Sequence, residues 1–231
     1  MILTENLNKS YEKNTVLSIE KLDIKKGECF GLVGNNGAGK TTFFSLLLDL
    51  IKATSGCITS NQIEVAKSEE WKSFTSAFID DSFLIGYLTP EEYFYFVGEL
   101  RGIDKVLVDS FLETYKDFFN DEILNQNKYL RDFSKGNQKK VGLIATFLGS
   151  PSVIILDEPF ANLDPTTQIR LKQLIKKETE SREITLLISS HDLNHVTDVC
   201  NRIVLLERGS VIMDKETTSK TLKELEAYFS V

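Results

Sequence analysis

The residues Gly34-Asn35-Asn36-Gly37-Ala38-Gly39-Lys40-Thr41 follow the spacing G-x-x-x-x-G-K-[ST]. Glycines at those positions let the backbone bend so that successive N–H groups turn inward and form an anion cradle. A lysine at the seventh position reaches the β- and γ-phosphates of a nucleotide, and the hydroxyl at the eighth ligates Mg²⁺. Gly34, Asn35, Asn36, Gly37, Ala38, Gly39, Lys40, Thr41 and Thr42 are therefore the candidate phosphate-binding residues. A second group lies far along the chain. Val153-Ile154-Ile155-Leu156-Asp157-Glu158-Pro159 ends an apolar run in two carboxylates. Such a pair can divide its work: Asp157 in the Mg²⁺ shell, and Glu158 as the general base that polarises an attacking water.

These groups act together only if the chain positions them. Cys29-Phe30-Gly31-Leu32-Val33 reads as a strand entering the loop, and Thr42-Phe43-Phe44-Ser45-Leu46-Leu47-Leu48 as the helix leaving it. That strand–loop–helix context is the confirming one, and the helix N-terminus faces the same anion. The continuously apolar Val153–Leu156 run fits a strand buried on both faces of a parallel sheet, and ligands bind at the carboxyl ends of such strands. Ile184-Thr185-Leu186-Leu187-Ile188 is a further buried strand. Residues 1–30 suggest short strands, with a turn at Lys25-Lys26-Gly27-Glu28. Residues 90–150 read as helical: Thr89 is an N-cap, Pro90-Glu91-Glu92 a helix start, and Val141, Ile144, Ala145 and Leu148 recur at helical spacing. Asp164-Pro165 starts a helix carrying Ile169, Leu171, Leu174 and Ile175. Leu193, Val196 and Cys200 lie along a short helix, and residues 221–229 read as an amphipathic helix. The pattern is an α/β nucleotide-binding core with a mostly helical insertion before Pro151.

The 231 residues are 42% hydrophobic, enough to bury a proper core. A net charge of −7 argues against nucleic acid or an anionic membrane surface as the main partner. Cys29, Cys57 and Cys200 are an odd, scattered set without C-x-x-C spacing; they read as reduced, buried thiols in a cytoplasmic protein and suggest no metal site of their own. The first residues lack signal-peptide character, and no apolar run approaches a membrane span. The chain is expected to be soluble by itself.

With these motifs in place, the chain resembles the ATP-binding subunits of the ABC family from about Leu3 to Met213. Phe133-Ser134-Lys135-Gly136-Asn137-Gln138 is similar to the family signature L-S-G-G-Q, Ala161-Asn162-Leu163-Asp164 to its D-loop, and His191 in Ile188-Ser189-Ser190-His191-Asp192 to its switch histidine. Tyr11 falls where the family places an aromatic ring under the adenine, and Asp80 in Phe78-Ile79-Asp80-Asp81 where it has the Q-loop glutamine. The resemblance implies a P-loop NTPase core with a parallel sheet, an N-terminal antiparallel β subdomain and an inserted helical subdomain. One domain spans 1–231, its core about 1–88 and 151–231, its helical part about 89–150. It implies ATP and Mg²⁺ as ligands, with Thr41, Asp157 and Asp80 near the metal and Lys40, Glu158 and His191 as catalytic residues. Ser134 and Gly136 are implied to contact the γ-phosphate held by a second subunit, which makes the working form a dimer. Ser134 also suits a helix N-cap, so its hydroxyl, the following N–H groups and the helix dipole can all face an anion. His195 is expected to be an ordinary helix-surface residue.

Four positions depart from the family pattern. Asp80 replaces glutamine, with Asp81 an equally good match. Lys135 replaces the first signature glycine and either adds positive charge near phosphate or points to solvent. Asn137 replaces the signature glutamine, and Lys140 sits where arginine is common. The implied function is an ATP-hydrolysing subunit, peripheral on the cytoplasmic face of the cell membrane. It powers separate integral membrane transporter subunits, in the manner of simple exporters. Phe83-Leu84-Ile85-Gly86-Tyr87 and Tyr93-Phe94-Tyr95-Phe96 are the candidate coupling surface if some rings are exposed. A soluble ABC-family ATPase and a small-molecule kinase are the alternatives.

Overall fold

Two long strands, β1 (Ile2–Tyr11) and β2 (Asn14–Ile24), pair as an antiparallel hairpin in the computed structural model, which describes residues 2–230. They run ten and eleven residues, longer than the short strands the turn signals suggest. β4 (Ser55–Ser60) and β5 (Ile63–Glu64) complete a four-stranded antiparallel sheet in the order β2-β1-β4-β5. The second sheet contains β3 (Cys29–Val33), β6 (Thr75–Phe78), β7 (Val153–Leu156), β8 (Thr185–Ser190), β9 (Arg202–Glu207) and β10 (Ser210–Glu216). Its order is β10-β9-β3-β8-β7-β6, parallel throughout except for β10.

Both faces of the parallel sheet are covered, as its unbroken apolar runs require. Alternate residues divide between two cores. Cys29, Val33, Ile154, Leu156, Leu186 and Ile188 face one core. Phe30, Leu32, Val153, Ile155 and Leu187 face the other, which the antiparallel sheet and α1 (Lys40–Leu47) close. The first core is roofed by α5 (Pro165–Ser181), α6 (Leu193–Val199), α7 (Thr221–Phe229) and the helices between β6 and β7. Those helices are α2 (Pro90–Leu100), α3 (Lys105–Phe119) and α4 (Lys135–Ala145). Thr89 starts α2 with a reciprocal capping box to Glu92, and Asp164 starts α5 by accepting from the Thr167 N–H.

Register decides what the sheet presents. Val33 lies opposite Ser190, Leu156 opposite Ile188, and Phe78 opposite Leu156. The loops after β3, β6, β7 and β8 therefore leave one edge of the sheet together, the carboxyl edge where open α/β sheets bind ligands.

Three local details go beyond the sequence reading. Ile169 is 57% exposed on α5, whereas Leu171 and Ile175 are buried. Cys29 and Cys200 meet with sulfurs 3.7 Å apart across the β3–α6 packing, while Cys57 is only half-buried. Among the 83–96 aromatics, Phe94 is buried, but Phe83, Tyr87 and Phe96 are exposed.

Candidate active site

The loop from Gly34 to Gly39 leaves β3 and enters α1 with Gly39 at φ 108°, where a side chain would be strained. A Cβ on Gly34 would sit 2.3 Å from the Leu206 carbonyl oxygen, so the loop can pass β9 this closely only without one. No side chain caps α1 and no acidic residue lies in its first turn, so its N-terminal N–H groups and dipole face outward. A cavity of about 250 Å³ lies against them, lined by Val16, Asn36, Gly37, Gly39, Lys40, Thr41, Thr42 and Glu158. The Lys40 ammonium is buried and folds back over the loop, donating to the Gly34 carbonyl at 2.7 Å and the Asn35 carbonyl at 3.4 Å.

Thr41 Oγ1 donates to Asp157 Oδ2 at 2.5 Å, joining the loop to the end of β7. The Ser189 hydroxyl on β8 donates to Asp157 Oδ1 and accepts from the Glu158 N–H at 2.9 Å. Burial pushes the Asp157 carboxyl above its ordinary range, opposed by the hydrogen bonds from Ser189 and Thr41. Glu158 lies between two cationic or polar partners: Oε1 is 3.4 Å from the Lys40 ammonium and Oε2 is 2.9 Å from His191 Nδ1. Its backbone sits at φ 46°, a left-handed conformation that costs a non-glycine residue about 1–3 kcal/mol. Two side chains hold it there. Ser189 takes its N–H, and Lys139 Nζ, from α4, donates to its carbonyl at 2.8 Å.

Below this group lies a hollow of about 650 Å³ bounded by Thr41, Asp80, Asp81, Lys139, Asp157, Glu158 and Asn162, among others. Asp80 caps a single 3₁₀ turn, accepting from the Ser82 N–H at 2.8 Å, and the Ser82 hydrogen bonds hold its carboxyl below the ordinary range. Asp81 goes the other way: burial raises it, and its Oδ1 is buried without a hydrogen-bond donor. Both carboxylates border the hollow.

A hydroxyl and a buried carboxylate 2.5 Å apart, beside a second carboxylate whose Oε1 lacks a hydrogen-bond donor, form a hard-oxygen set that suits Mg²⁺. The uncapped helix and the loop beside it suit phosphate.

Other candidates lie apart from this cluster within one chain. Ser134 N-caps α4, accepting from the Asn137 N–H at 3.2 Å, and with Gly136 it lines neither hollow. A Cβ on Gly136 would sit 3.2 Å from the Asn162 carbonyl oxygen, so the start of α4 packs on the loop after Glu158. Lys135 is exposed and reaches Gln138 Oε1 at 3.3 Å. Tyr11 ends β1 at the hairpin tip, half-exposed, with the Lys9 ammonium 4.5 Å over its ring. His195 is not a surface residue. Its ring stacks on Phe160 with centroids 4.6 Å apart, its Nδ1 is buried without a partner, and burial holds its pKa below the ordinary 6.5.

Sequence reading passes over Ser189 and Lys139. The polar pair Ser189-Ser190 ending an otherwise apolar buried strand is the signal for the first. Two buried lysines directly before the apolar run Val141–Ala145 of α4 mark the second, and their burial shows only in the fold.

Fold and cluster together define a phosphate-loop nucleoside triphosphatase. The family model for ABC transporters matches residues 17–161, and the chain belongs to the ABC transporter family as its ATP-binding, ATP-hydrolysing cassette. It is 32% identical to the ABC transporter ATP-binding protein YtrB of Bacillus subtilis over 99% of this chain and 77% of that one. It is 30% identical to the lantibiotic transport ATP-binding protein SrtF of Streptococcus pyogenes over 97% of this chain and 95% of that one. A solved dimeric bacterial ABC transporter cassette shares the fold, with a TM-score of 0.84 at 23% identity over 95% of this chain and all of that one.

Proposed function

We propose that this chain energises an ABC exporter: two cassettes close on ATP, hydrolyse it, and pass the motion to integral membrane subunits. The observation that carries the reading is the Glu158 carboxylate, set between Lys40 at 3.4 Å and His191 at 2.9 Å beside the phosphate loop. The loop N–H groups and Lys40 take the phosphates of ATP, and Tyr11 offers a ring to the base. Thr41 and Asp157 would hold Mg²⁺, with Asp80 or Asp81 across the hollow, where it would supply positive charge against the phosphates. Glu158 accepts the proton of the attacking water. His191 orients Glu158 and donates to the γ-phosphate, so its contacts change when that group leaves. Ser134, Gly136 and the first turn of α4 serve the site of the partner cassette.

The domain division follows: a core of about 1–88 and 151–231 and a helical part of about 89–150. Between them runs a largely apolar hollow of about 370 Å³, bordered by Phe83, Leu84, Tyr93, Val97 and Arg101. The segment beside it is tied to the lead-in of α4, since the Arg131 N–H donates to the Gly86 carbonyl and the Leu130 N–H to that of Leu88. Exposed Phe83 and Tyr87 suit docking of a membrane subunit here, which supports a peripheral position on the cytoplasmic membrane face. The relative named for lantibiotic transport supports a role in transport. Among the described residues no helix is long and apolar enough to cross a membrane.

The test is purification of tagged Glu158→Gln from detergent-solubilised cells in ATP, with light scattering and mass spectrometry. The expected result is two cassettes with a multi-span membrane protein in near-stoichiometric amount. A strictly monomeric cassette in ATP overturns the sandwich. A dimer accompanied only by soluble proteins moves the function to a soluble ABC ATPase.

A further inference from the structure

Lys139 is 7% exposed on the second turn of α4, yet no carboxylate lies within ion-pair distance of its ammonium among the described residues. Its neighbour Lys140 does have such a partner, Glu122 at 3.2 Å. A buried cation normally requires an anion. Lys139 instead uses its N–H groups on backbone: it donates to the Glu158 carbonyl at 2.8 Å and the Ala161 carbonyl at 3.0 Å. The Glu158 carbonyl also accepts from the Ala161 N–H at 3.2 Å, so Lys139 closes the turn that follows Glu158. Gln168 holds the next carbonyls, Phe160 at 3.1 Å and Leu163 at 3.2 Å. The Lys139 ammonium also borders the hollow that Thr41, Asp157 and Glu158 share, with Asp80 and Asp81 across it.

We propose that Lys139 is a positioning residue for hydrolysis: from the signature helix it pins the strained backbone of Glu158 and the turn after it, and so aims the Glu158 carboxylate. The proposal rests on the reading of Glu158 as the base. It adds a physical link between the helix that serves the partner's ATP and the base of the chain's own site, because one side chain joins α4 to residues 158–161. A side chain without donors here leaves the Glu158 carbonyl only the Ala161 N–H of its own turn, and the residue at φ 46° loses its tie to α4.

The test is Lys139→Met, close in length and volume and able to stay buried, assayed as the full chain with Mg²⁺-ATP. A misplaced catalytic group costs on the order of 10²-fold in rate. The expected result is kcat lowered about 10- to 100-fold, with KM and nucleotide affinity within about threefold, and partial recovery of kcat in Lys139→Arg, whose guanidinium also donates to carbonyls. In a Glu158→Gln background Lys139→Met should change the residual rate by less than about twofold, since both act on one group. Wild-type kcat in Lys139→Met overturns the proposal. So does a loss that appears equally in nucleotide affinity, or one that multiplies with Glu158→Gln. If Lys139→Met does not fold, Lys139→Gln is read by the same split between kcat and KM. Full activity of Glu158→Gln alone is a different outcome, which removes the base assignment and the proposal with it.

Discussion

Ser189→Ala removes one hydroxyl that serves both catalytic carboxylate residues. That oxygen donates to Asp157 Oδ1 and accepts from the Glu158 N–H at 2.9 Å, and Ser189 itself is fully buried. A hydrogen bond to a charged group contributes about 1.5–3 kcal/mol, and a buried N–H left without an acceptor costs a further 1–3 kcal/mol or so. The two share one oxygen and are not additive, so about 2–3 kcal/mol is expected. For a chain of this length that lowers Tm by about 4–12 °C. The same deletion leaves Asp157 oriented by Thr41 alone, and loss of an outer hydrogen bond to a metal ligand weakens metal binding about 10- to 100-fold. Calorimetry without Mg²⁺ reads the first effect, and ATPase rate against Mg²⁺ concentration reads the second. Ser189→Thr keeps the oxygen and should recover most of both. A Tm within about 2 °C of wild type, together with unchanged half-saturating Mg²⁺, would refute the reasoning.

Two further substitutions probe the packing that supports the site. A Cβ on Gly142 would lie 2.1 Å from Phe78 Cε2, where α4 rests on β6. Gly142→Ala should therefore destabilise by about 1–3 kcal/mol through overpacking, despite better helix propensity, and a raised Tm would contradict it. His195 tests a pH effect. Burial holds its folded pKa below the ordinary 6.5, so the unfolded chain takes the proton first as pH falls. Its contribution is present above about pH 6.5 and is lost as pH falls through the lower folded value. His195→Phe keeps a ring on Phe160 and should lose less Tm than wild type between about pH 7.5 and about pH 5.5; equal losses would rule the effect out.

Much of this molecule is legible in its chain because its strongest signals are local. The phosphate loop needs glycines at fixed positions. β3 before it and β7 are wholly buried runs without a charged residue, and Thr89-Pro90 and Asp164-Pro165 start helices where the residue types require. Other features come from distant segments meeting. Cys29 and Cys200 are 171 residues apart in sequence and touch because Asn201 extends onto β3. His195 follows the switch region at a spacing that suggests a free helix face, and only the fold brings Phe160 against it. Phe94 is buried because its face of α2 packs on Phe111 and Phe119 of α3, while Phe83 and Tyr87 lie exposed in the segment before α2, and aromatic content alone does not decide that.

The same distinction bears on how the site works. The motif residues supply the groups that meet phosphate and metal, but their geometry depends on residues outside the motifs. Glu158 is the clearest case. Its left-handed backbone is costly, and nothing in Leu156-Asp157-Glu158-Pro159 compensates for it. The compensation arrives from β8 through Ser189 and from α4 through Lys139, one on each side of the residue. A strained residue held from two elements responds to movement of either. β8 runs into His191 two residues beyond Ser189, and α4 follows its cap Ser134, so in the proposed function each support of Glu158 belongs to an element adjoining a group for the γ-phosphate. Closure onto ATP that shifts α4 must then shift the Glu158 carbonyl with it. In this reading the carboxylate reaches its working position as the partner site forms, which couples hydrolysis to dimer closure through two hydrogen bonds rather than through a rearrangement of the sheet.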